Sequence, residues 1–171
     1  MDRYVALLRG INVGGKNKLS MSELKEELKK DEFTDVVTYL NSGNVIFSSN
    51  REDPQILANK MRTRIKLGFE LDIPIHVILQ AELKELLANA PEWWGDENKE
   101  IYDNVIFMMK PLSFEVLLTE IGEPKADFER VYPYKDIVFW SFIRKEHQKT
   151  NWWAKTAKPK VKDQLTIRTA N

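Results

Sequence analysis

Apolar residues along the chain form short β-rich runs and helical repeats, in an order that occurs twice. In the first 80 residues, the run Tyr4–Leu8 precedes a helical repeat after Ser20, a pair of β-rich runs around the segment NSGN, a second helical repeat and a last run, Pro74–Leu79. Residues 101–171 repeat this order, with a weaker second helix over Lys145–Ala157. The pattern therefore predicts two βαββαβ halves.

A half with this element order is the split βαβ, or ferredoxin-like, arrangement. The right-handed crossover rule favours it, because each strand–helix–strand unit is then compact. We therefore predict an α+β protein of two tandem ferredoxin-like halves, each an antiparallel sheet with helices on one face. The predicted divisions are residues 1–80 for the first half, 81–100 for a linker helix and loop, and 101–171 for the second half.

Residue types at the predicted helix starts agree with this order. Ser20 and Glu23 have the spacing of a capping box, in which the serine hydroxyl accepts a hydrogen bond from a backbone N–H of the first turn. Asp53 followed by Pro54 is a typical N-cap and first-turn pair. Ser113 occupies the corresponding position before the first helix of the second half.

The stretch LLRGINVGGKNK joins the first predicted strand to the first helix and holds the main candidate site. Gly10, four residues and then Gly15-Lys16 match the first seven positions of the phosphate-binding motif G-x-x-x-x-G-K-[ST]. Asn17 stands where that motif requires a hydroxyl to bind Mg²⁺, and the helix cap at Ser20 comes too late to bring a helix N-terminus to the phosphate. The sequence therefore argues against an NTP-hydrolysing site.

A weaker hypothesis for this stretch is an anion site. Gly14 and Gly15 can both adopt positive φ and present successive backbone N–H groups to an anion. Arg9, Lys16 and Lys18 would add positive charge, and Arg9 could bind a phosphate or carboxylate through two N–H groups. In the alternative interpretation, the glycines only let the chain cross from strand to helix.

These residues resemble an uncharacterised bacterial domain-of-unknown-function family. The resemblance rests on LLRGINVGGKNK and on TYLNSGNVIF in the predicted hairpin, and it covers nearly the whole chain. It implies a tandem ferredoxin-like fold and no established activity. The shared signature joins the loop to the hairpin, which completes the set of candidate ligand-binding residues: Arg9, Asn12, Gly14, Gly15, Lys16, Lys18, Asn41, Ser42 and Asn44. Sequence alone does not decide whether the hairpin tip lies at the same end of the sheet as the loop.

A second hypothesis follows from a resemblance to the acylphosphatases, which are ferredoxin-like enzymes with a glycine-rich, arginine-bearing loop after the first strand. These enzymes also have an asparagine near the middle hairpin. By analogy, Arg9 would hold a phosphoryl group and Asn41 would orient the attacking water. The reaction would be hydrolysis of a phosphoryl or acyl-phosphate substrate. Many functions share this fold, and turn chemistry is the better explanation of Asn41 and Asn44, since asparagine tolerates left-handed backbone.

The charge distribution suggests a third hypothesis. The 171 residues include 26 basic and 26 acidic ones, and this zero net charge argues against a general nucleic-acid or membrane binder. Residues 144–171, however, carry eight Lys or Arg against Glu146 and Asp163, next to the pair Trp152-Trp153. A nucleic-acid or partner-binding module could use this segment. A solvated helix is the simpler explanation of its charge.

The remaining composition limits the chemistry further. Without cysteine there is no disulfide and no thiolate chemistry. His76 and His147 have no ligands at metal-binding spacing, so we expect no metal and no cofactor. Neither a signal peptide nor a membrane span is recognisable, which predicts a cytoplasmic protein without a membrane partner. The leading expectation is a cytosolic protein that binds an anionic, phosphate-bearing small molecule.

Overall fold

The structure is a computed structural model that describes residues 1–158 and 160–170. Pro159 and Asn171, both within the predicted second half, lie outside the described residues. The chain divides into two compact units, Met1–Lys84 and Glu85–Asn171. Each unit contains a four-stranded antiparallel sheet. In the described part of the chain, every helix is too short or too polar to cross a membrane.

The first unit is a sheet with two helices packed on one face. Its elements are β1 (Asp2–Leu8), α1 (Met21–Leu28), β2 (Thr34–Tyr39), β3 (Asn44–Ser49), α2 (Pro54–Phe69) and β4 (Ile75–Leu79). The strands lie in the order β2-β3-β1-β4, so β1 and β3 form the centre. Alternate residues of β1 point toward the helices, where Tyr4 and Leu8 pack in one apolar core with Leu24 of α1 and Met61 of α2. Helix α3 (Gln80–Ala88) follows β4 without a loop.

The second unit has the same strand order, β6-β7-β5-β8. Its elements are β5 (Ile101–Met108), α4 (Phe114–Ile121), β6 (Glu129–Tyr134), β7 (Ile137–Ile143), α5 (Trp152–Lys155) and β8 (Leu165–Thr169), with 3₁₀ segments at Arg144–Lys149 and Lys162–Gln164. Ile106 and Trp140 of the sheet pack with Leu117 of α4 and Trp152 of α5. The predicted α+β class with two similar, tandem ferredoxin-like halves is confirmed.

The long helix predicted over Lys145–Ala157 is wrong. The chain instead forms a 3₁₀ segment, and Thr150 then takes an extended conformation before the single turn of α5. The hydroxyl of Thr150 donates to the carbonyl of His147 at 2.6 Å, which ends the 3₁₀ segment. Contacts with distant residues, rather than the local sequence, decide the conformation of this segment.

The most important of the distant residues that contact this segment is Glu129, whose carboxylate is buried. Its side chain is 3% exposed and accepts the indole N–H of Trp140 at 3.1 Å. It also accepts the backbone N–H groups of Lys125, Asn151 and Trp152, so it caps the start of α5 from β6. A buried charge is tolerated only when hydrogen-bond donors surround it in this way.

We expect Glu129→Gln to lower the free energy of unfolding by roughly 2–3 kcal/mol, because the amide turns one acceptor into a donor facing buried N–H groups. Chemical denaturation followed by circular dichroism measures the change. The exposed Glu97→Gln is the control, and its effect should stay within about 0.5 kcal/mol. Equal unfolding midpoints for the two variants would show that the Glu129 carboxylate does not stabilise this unit.

Candidate functional site

The structure answers the question of where the hairpin tip lies. Leu7 of β1 pairs with Asn44 at the start of the antiparallel β3, and the N–H of Leu8 donates to the carbonyl of Gly43 at 2.8 Å. The glycine loop (residues 9–20) leaves the end of β1, and the hairpin tip (residues 40–43) leads into β3. Both segments therefore lie at the same end of the first sheet.

Within the glycine loop, Gly14 and Gly15 form the centre of a two-residue turn. The N–H of Lys16 donates to the carbonyl of Val13 at 3.0 Å and closes the turn. Both glycines have positive φ, +60° and +75°, as a turn of type I′ requires. The turn alone therefore explains the positive φ of both glycines. The N–H groups of the two glycines take no part in closing the turn.

The side chain of Asn12 holds the glycine loop to the hairpin tip. Its Nδ2 donates to the carbonyl of Leu19 at 2.9 Å and to that of Asn41 at 2.8 Å. Its Oδ1 accepts the N–H of Leu19 at 2.8 Å. Asn12 itself has a φ of +54°, a conformation that asparagine tolerates better than most residues. We call this set of three hydrogen bonds the Asn12 clasp.

The hairpin tip is also shaped from within. The Nδ2 of Asn44 donates to the carbonyl of Tyr39 at 2.9 Å and to the hydroxyl of Ser42 at 3.1 Å. Asparagine does serve turn chemistry here, but through its side chain rather than through a left-handed backbone. The positive φ values of the tip belong to Leu40 and Gly43.

Gly43 is the residue that lets the two segments approach. Its φ is +93°, and a Cβ placed on it would lie 2.7 Å from the Cβ of Leu8 and 2.9 Å from the Cδ1 of Ile11. Ile11, within the glycine loop, is 1% exposed. Any side chain at position 43 would therefore push the hairpin tip away from the loop. Gly43 is not among the nine candidate residues predicted from the sequence, although the segment NSGN contains it.

A groove of about 720 Å³ opens where these segments meet the start of α1. Its lining residues come from the glycine loop, the first turn of α1 and the hairpin tip: Asn12, Gly15, Lys18, Leu19, Ser20, Met21, Ser22 and Asn41. The hydroxyl of Ser20 accepts the N–H of Glu23 at 3.4 Å, so the predicted helix cap is present. Lys18 and the positive end of the α1 dipole both favour an anion in this groove.

The groove contains four of the nine candidate residues. Asn12, Gly15, Lys18 and Asn41 line it. The other five lie outside its lining: Arg9, Gly14, Lys16, Ser42 and Asn44. Ser20 is predicted from the sequence only as a helix cap, and Ser22 carries no local signal, because the approach of α1 to the hairpin tip depends on the Asn12 clasp.

Arg9 lies apart from the groove. β1 ends at Leu8, and Arg9 is not among the residues that line the groove. Its backbone N–H donates to the carbonyl of Pro74 at 3.0 Å, which fixes the first residue of the loop beside the segment leading to β4. Within residues 1–158 and 160–170, no three acidic or histidine side chains gather in a metal-binding arrangement.

A family model described as "Protein of unknown function (DUF1697)" matches residues 1–139, which include the whole first unit. The chain belongs to this family. The family assignment made from the LLRGINVGGKNK and TYLNSGNVIF signatures is thereby confirmed. Among solved structures, the conserved bacterial protein SP0830 from Streptococcus pneumoniae is similar, with a TM-score of 0.82 and 29% sequence identity. The alignment covers 99% of this chain and 93% of that chain. No curated protein matches the chain.

Helix α1, which forms one wall of the groove, is fixed to α2 by charged side chains. Arg64 of α2 donates to both carboxylate oxygens of Asp31 at 2.9 and 2.8 Å, and its Nη1 lies 3.6 Å from Oε1 of Glu27. A hydrogen bond from Arg64 lowers the pKa of Asp31. A hydrogen bond from Lys30, assisted by Arg64, lowers the pKa of Glu27.

These lowered pKa values predict a pH dependence of stability. The two carboxylates contribute stability above their unfolded pKa values, and this contribution is lost as the pH falls below about 4. In Arg64→Gln the loss should be smaller, since the variant lacks the partner that protonation would release. Urea unfolding at neutral and acidic pH measures both slopes. Parallel pH profiles for the two proteins would contradict the role of Arg64.

We expect Gly43→Ala to destabilise the first unit by roughly 2–4 kcal/mol, because the new Cβ clashes with atoms next to the backbone and φ is positive. Gly95→Ala is the matched control. Gly95 has a φ of +82° but open space around its Cβ position, so only the conformational cost of about 1 kcal/mol applies. Thermal or urea unfolding distinguishes the two, and equal losses would mean that the contact between hairpin tip and β1 is not tight.

Proposed function

We propose that this protein binds an anionic, phosphate-bearing small molecule in the groove at the start of α1. The observation that carries the proposal is the convergence of the glycine loop, the hairpin tip and the first turn of α1 around Lys18. Ammonium, hydroxyl and backbone N–H groups are the donors that proteins use for phosphate. Lys18, Ser20 and Ser22 supply the first two kinds, and the start of α1 supplies the third.

Comparison of the two units supports a functional role for this end of the sheet. The connection from β1 to α1 has 12 residues, 9–20, whereas the corresponding connection from β5 to α4 has five, 109–113. The tip of the first hairpin has four residues and that of the second has two, 135–136. Closing the fold therefore needs only the shorter connections. Extra loop length on a shared scaffold is typical of binding sites.

One backbone hydrogen bond at the end of the first strand is common to the two units. The bond from Leu8 N–H to the Gly43 carbonyl has its counterpart in the bond from Met108 N–H to the Asp136 carbonyl at 2.9 Å. The two units thus follow the same course up to the end of the first strand. They diverge where the first unit forms its groove.

Acidic side chains on the outer part of α1 limit where an anion can lie. Glu23, Glu26 and Glu27 line a neighbouring hollow of about 420 Å³. Lys30 also lines this hollow, but its ammonium is paired with Glu27 at 2.8 Å, and Lys29 is paired with Glu26 at 2.8 Å, so neither lysine is left to bind a phosphate there. The favoured position for an anion is therefore beside Lys18, toward the glycine loop.

Hydrolysis of the acylphosphatase kind receives less support than binding. That mechanism needs an arginine and an asparagine at one phosphoryl group. Asn41 lines the groove, whereas Arg9 is not among its lining residues. The groove as built favours holding a phosphate-bearing ligand over activating water against it.

The test is a titration of the ¹⁵N-labelled protein with inorganic phosphate and pyrophosphate, followed by NMR. We expect the largest shifts at the amides of residues 18–22 and at Asn41. Lys18→Gln should weaken binding by about 5- to 10-fold, the usual effect of losing one charge-assisted hydrogen bond. Lys16→Gln removes the same charge two residues away, outside the groove, and should change the affinity by less than about 2-fold. Equal effects of the two variants, or unchanged shifts at residues 18–22, would refute the proposal.

A further inference from the structure

The paired tryptophans of α5 have different environments. Trp152 is fully buried in the core of the second unit, and its indole N–H donates to the carbonyl of Gly122 at 3.0 Å. The next residue, Trp153, is 47% exposed. About half of a large aromatic surface, roughly 100 Å², is therefore available to solvent.

The exposed ring of Trp153 is held in place from below. It makes edge-to-face contacts with Phe142 at 5.4 Å and with His147 at 4.9 Å between ring centroids. The N–H of Trp153 donates to the hydroxyl of Thr150 at 3.2 Å, and that hydroxyl donates to the carbonyl of His147. The side chain is thus fixed before any ligand arrives, which reduces the entropy lost on binding.

Positive charge lies on the same segment. The guanidinium of Arg144 stacks over the ring of Tyr102 at 4.6 Å, and Tyr102 stacks in turn on Phe142. Arg144 and Lys145 are both exposed, and neither forms an ion pair in the described part of the chain. The nearby carboxylate of Glu146 is occupied by Lys149 at 2.8 Å. We call Arg144, Lys145, His147 and Trp153 together the Trp153 surface.

Other basic residues of the C-terminal segment serve the fold. The Nζ of Lys155 donates to the carbonyl of Ile121 at 3.3 Å, and that of Lys158 donates to the carbonyl of Glu120 at 3.0 Å. Both lysines lie at the C-terminal end of α4, where positive charge stabilises a helix. In this segment, Lys155 and Lys158 therefore stabilise the fold, whereas Arg144 and Lys145 are exposed.

We infer that the Trp153 surface binds single-stranded nucleic acid, with a base stacked on Trp153 and phosphates beside Arg144 and Lys145. Stacking needs an unpaired base, which excludes a regular duplex. The charges are complementary to a phosphate backbone, and they stand out from a body of 143 residues with 18 basic and 24 acidic side chains, a net −6. An acidic peptide would use the two charges without the exposed ring.

The test is fluorescence anisotropy of a labelled single strand of about 12 nucleotides at about 20 mM salt, with the full chain. We expect binding whose logarithm falls with the logarithm of salt at a slope near −1.4, or about −0.7 for each of two phosphates. Trp153→Ala should weaken binding by about 5-fold or more, whereas Trp153→Phe keeps a stacking ring and should lose less. The double variant of Arg144→Gln and Lys145→Gln should reduce both the affinity and the slope.

Controls separate this surface from the rest of the molecule. Tyr39→Ala removes an aromatic ring that is 59% exposed in the first unit, and Lys66→Gln removes an exposed lysine of α2; both should bind the strand like the wild type. Trp153→Ala should in turn leave phosphate binding in the groove unchanged, which separates this inference from the proposed anion groove. Absence of strand binding by the wild-type protein, equal binding by folded Trp153→Ala, or equal affinity for a mononucleotide or an oligoglutamate peptide would each overturn the inference.

Discussion

The close contact between Gly43 and the end of β1 is the constraint on which the candidate groove depends. The hydrogen bond from Leu8 to Gly43 sets the register of β1 against β3, and the missing side chain at position 43 lets Ile11 of the glycine loop pack directly over it. Only with the hairpin tip at this distance can the amide of Asn12 reach the carbonyl of Asn41. The groove at the start of α1 is thus a consequence of strand pairing at the centre of the sheet.

The two units show how the same sheet can carry different connections after its first strand. Their strand orders are the same, and the backbone hydrogen bonds at the end of β1 recur at the end of β5. In the first unit the following connection is long, rich in glycine and asparagine, and closed by side-chain hydrogen bonds. In the second unit the Trp153 surface lies on the 3₁₀ segment after β7 and on α5. Candidate functions therefore attach to different parts of a repeated fold.

Much of the fold was predictable from sequence because its signals are local. Short β-rich runs and helical repeats marked the strands and helices, and Ser20, Asp53 and Ser113 cap helices as expected. Predictions failed where distant residues decide the outcome. Glu129 of β6 caps α5, so the helix expected over Lys145–Ala157 is interrupted before Trp152. In the hairpin tip, Leu40 and not an asparagine takes the left-handed conformation. Lys18, Ser22 and Asn41 meet in the groove because of a loop conformation that no local sequence pattern predicts.

The Asn12 clasp fixes the base of the glycine loop and leaves its turn exposed. By accepting the N–H of Leu19 and donating to its carbonyl, one side chain takes the place of a neighbouring strand, so the loop is secured at its base without an additional β-ladder. The turn at Val13–Lys16 projects beyond this base and is exposed throughout. Because Gly15 of this turn lines the groove, changes in the turn would alter the groove while the clasp keeps the base of the loop in place. A scaffold of this kind lets ligand preference change independently of folding.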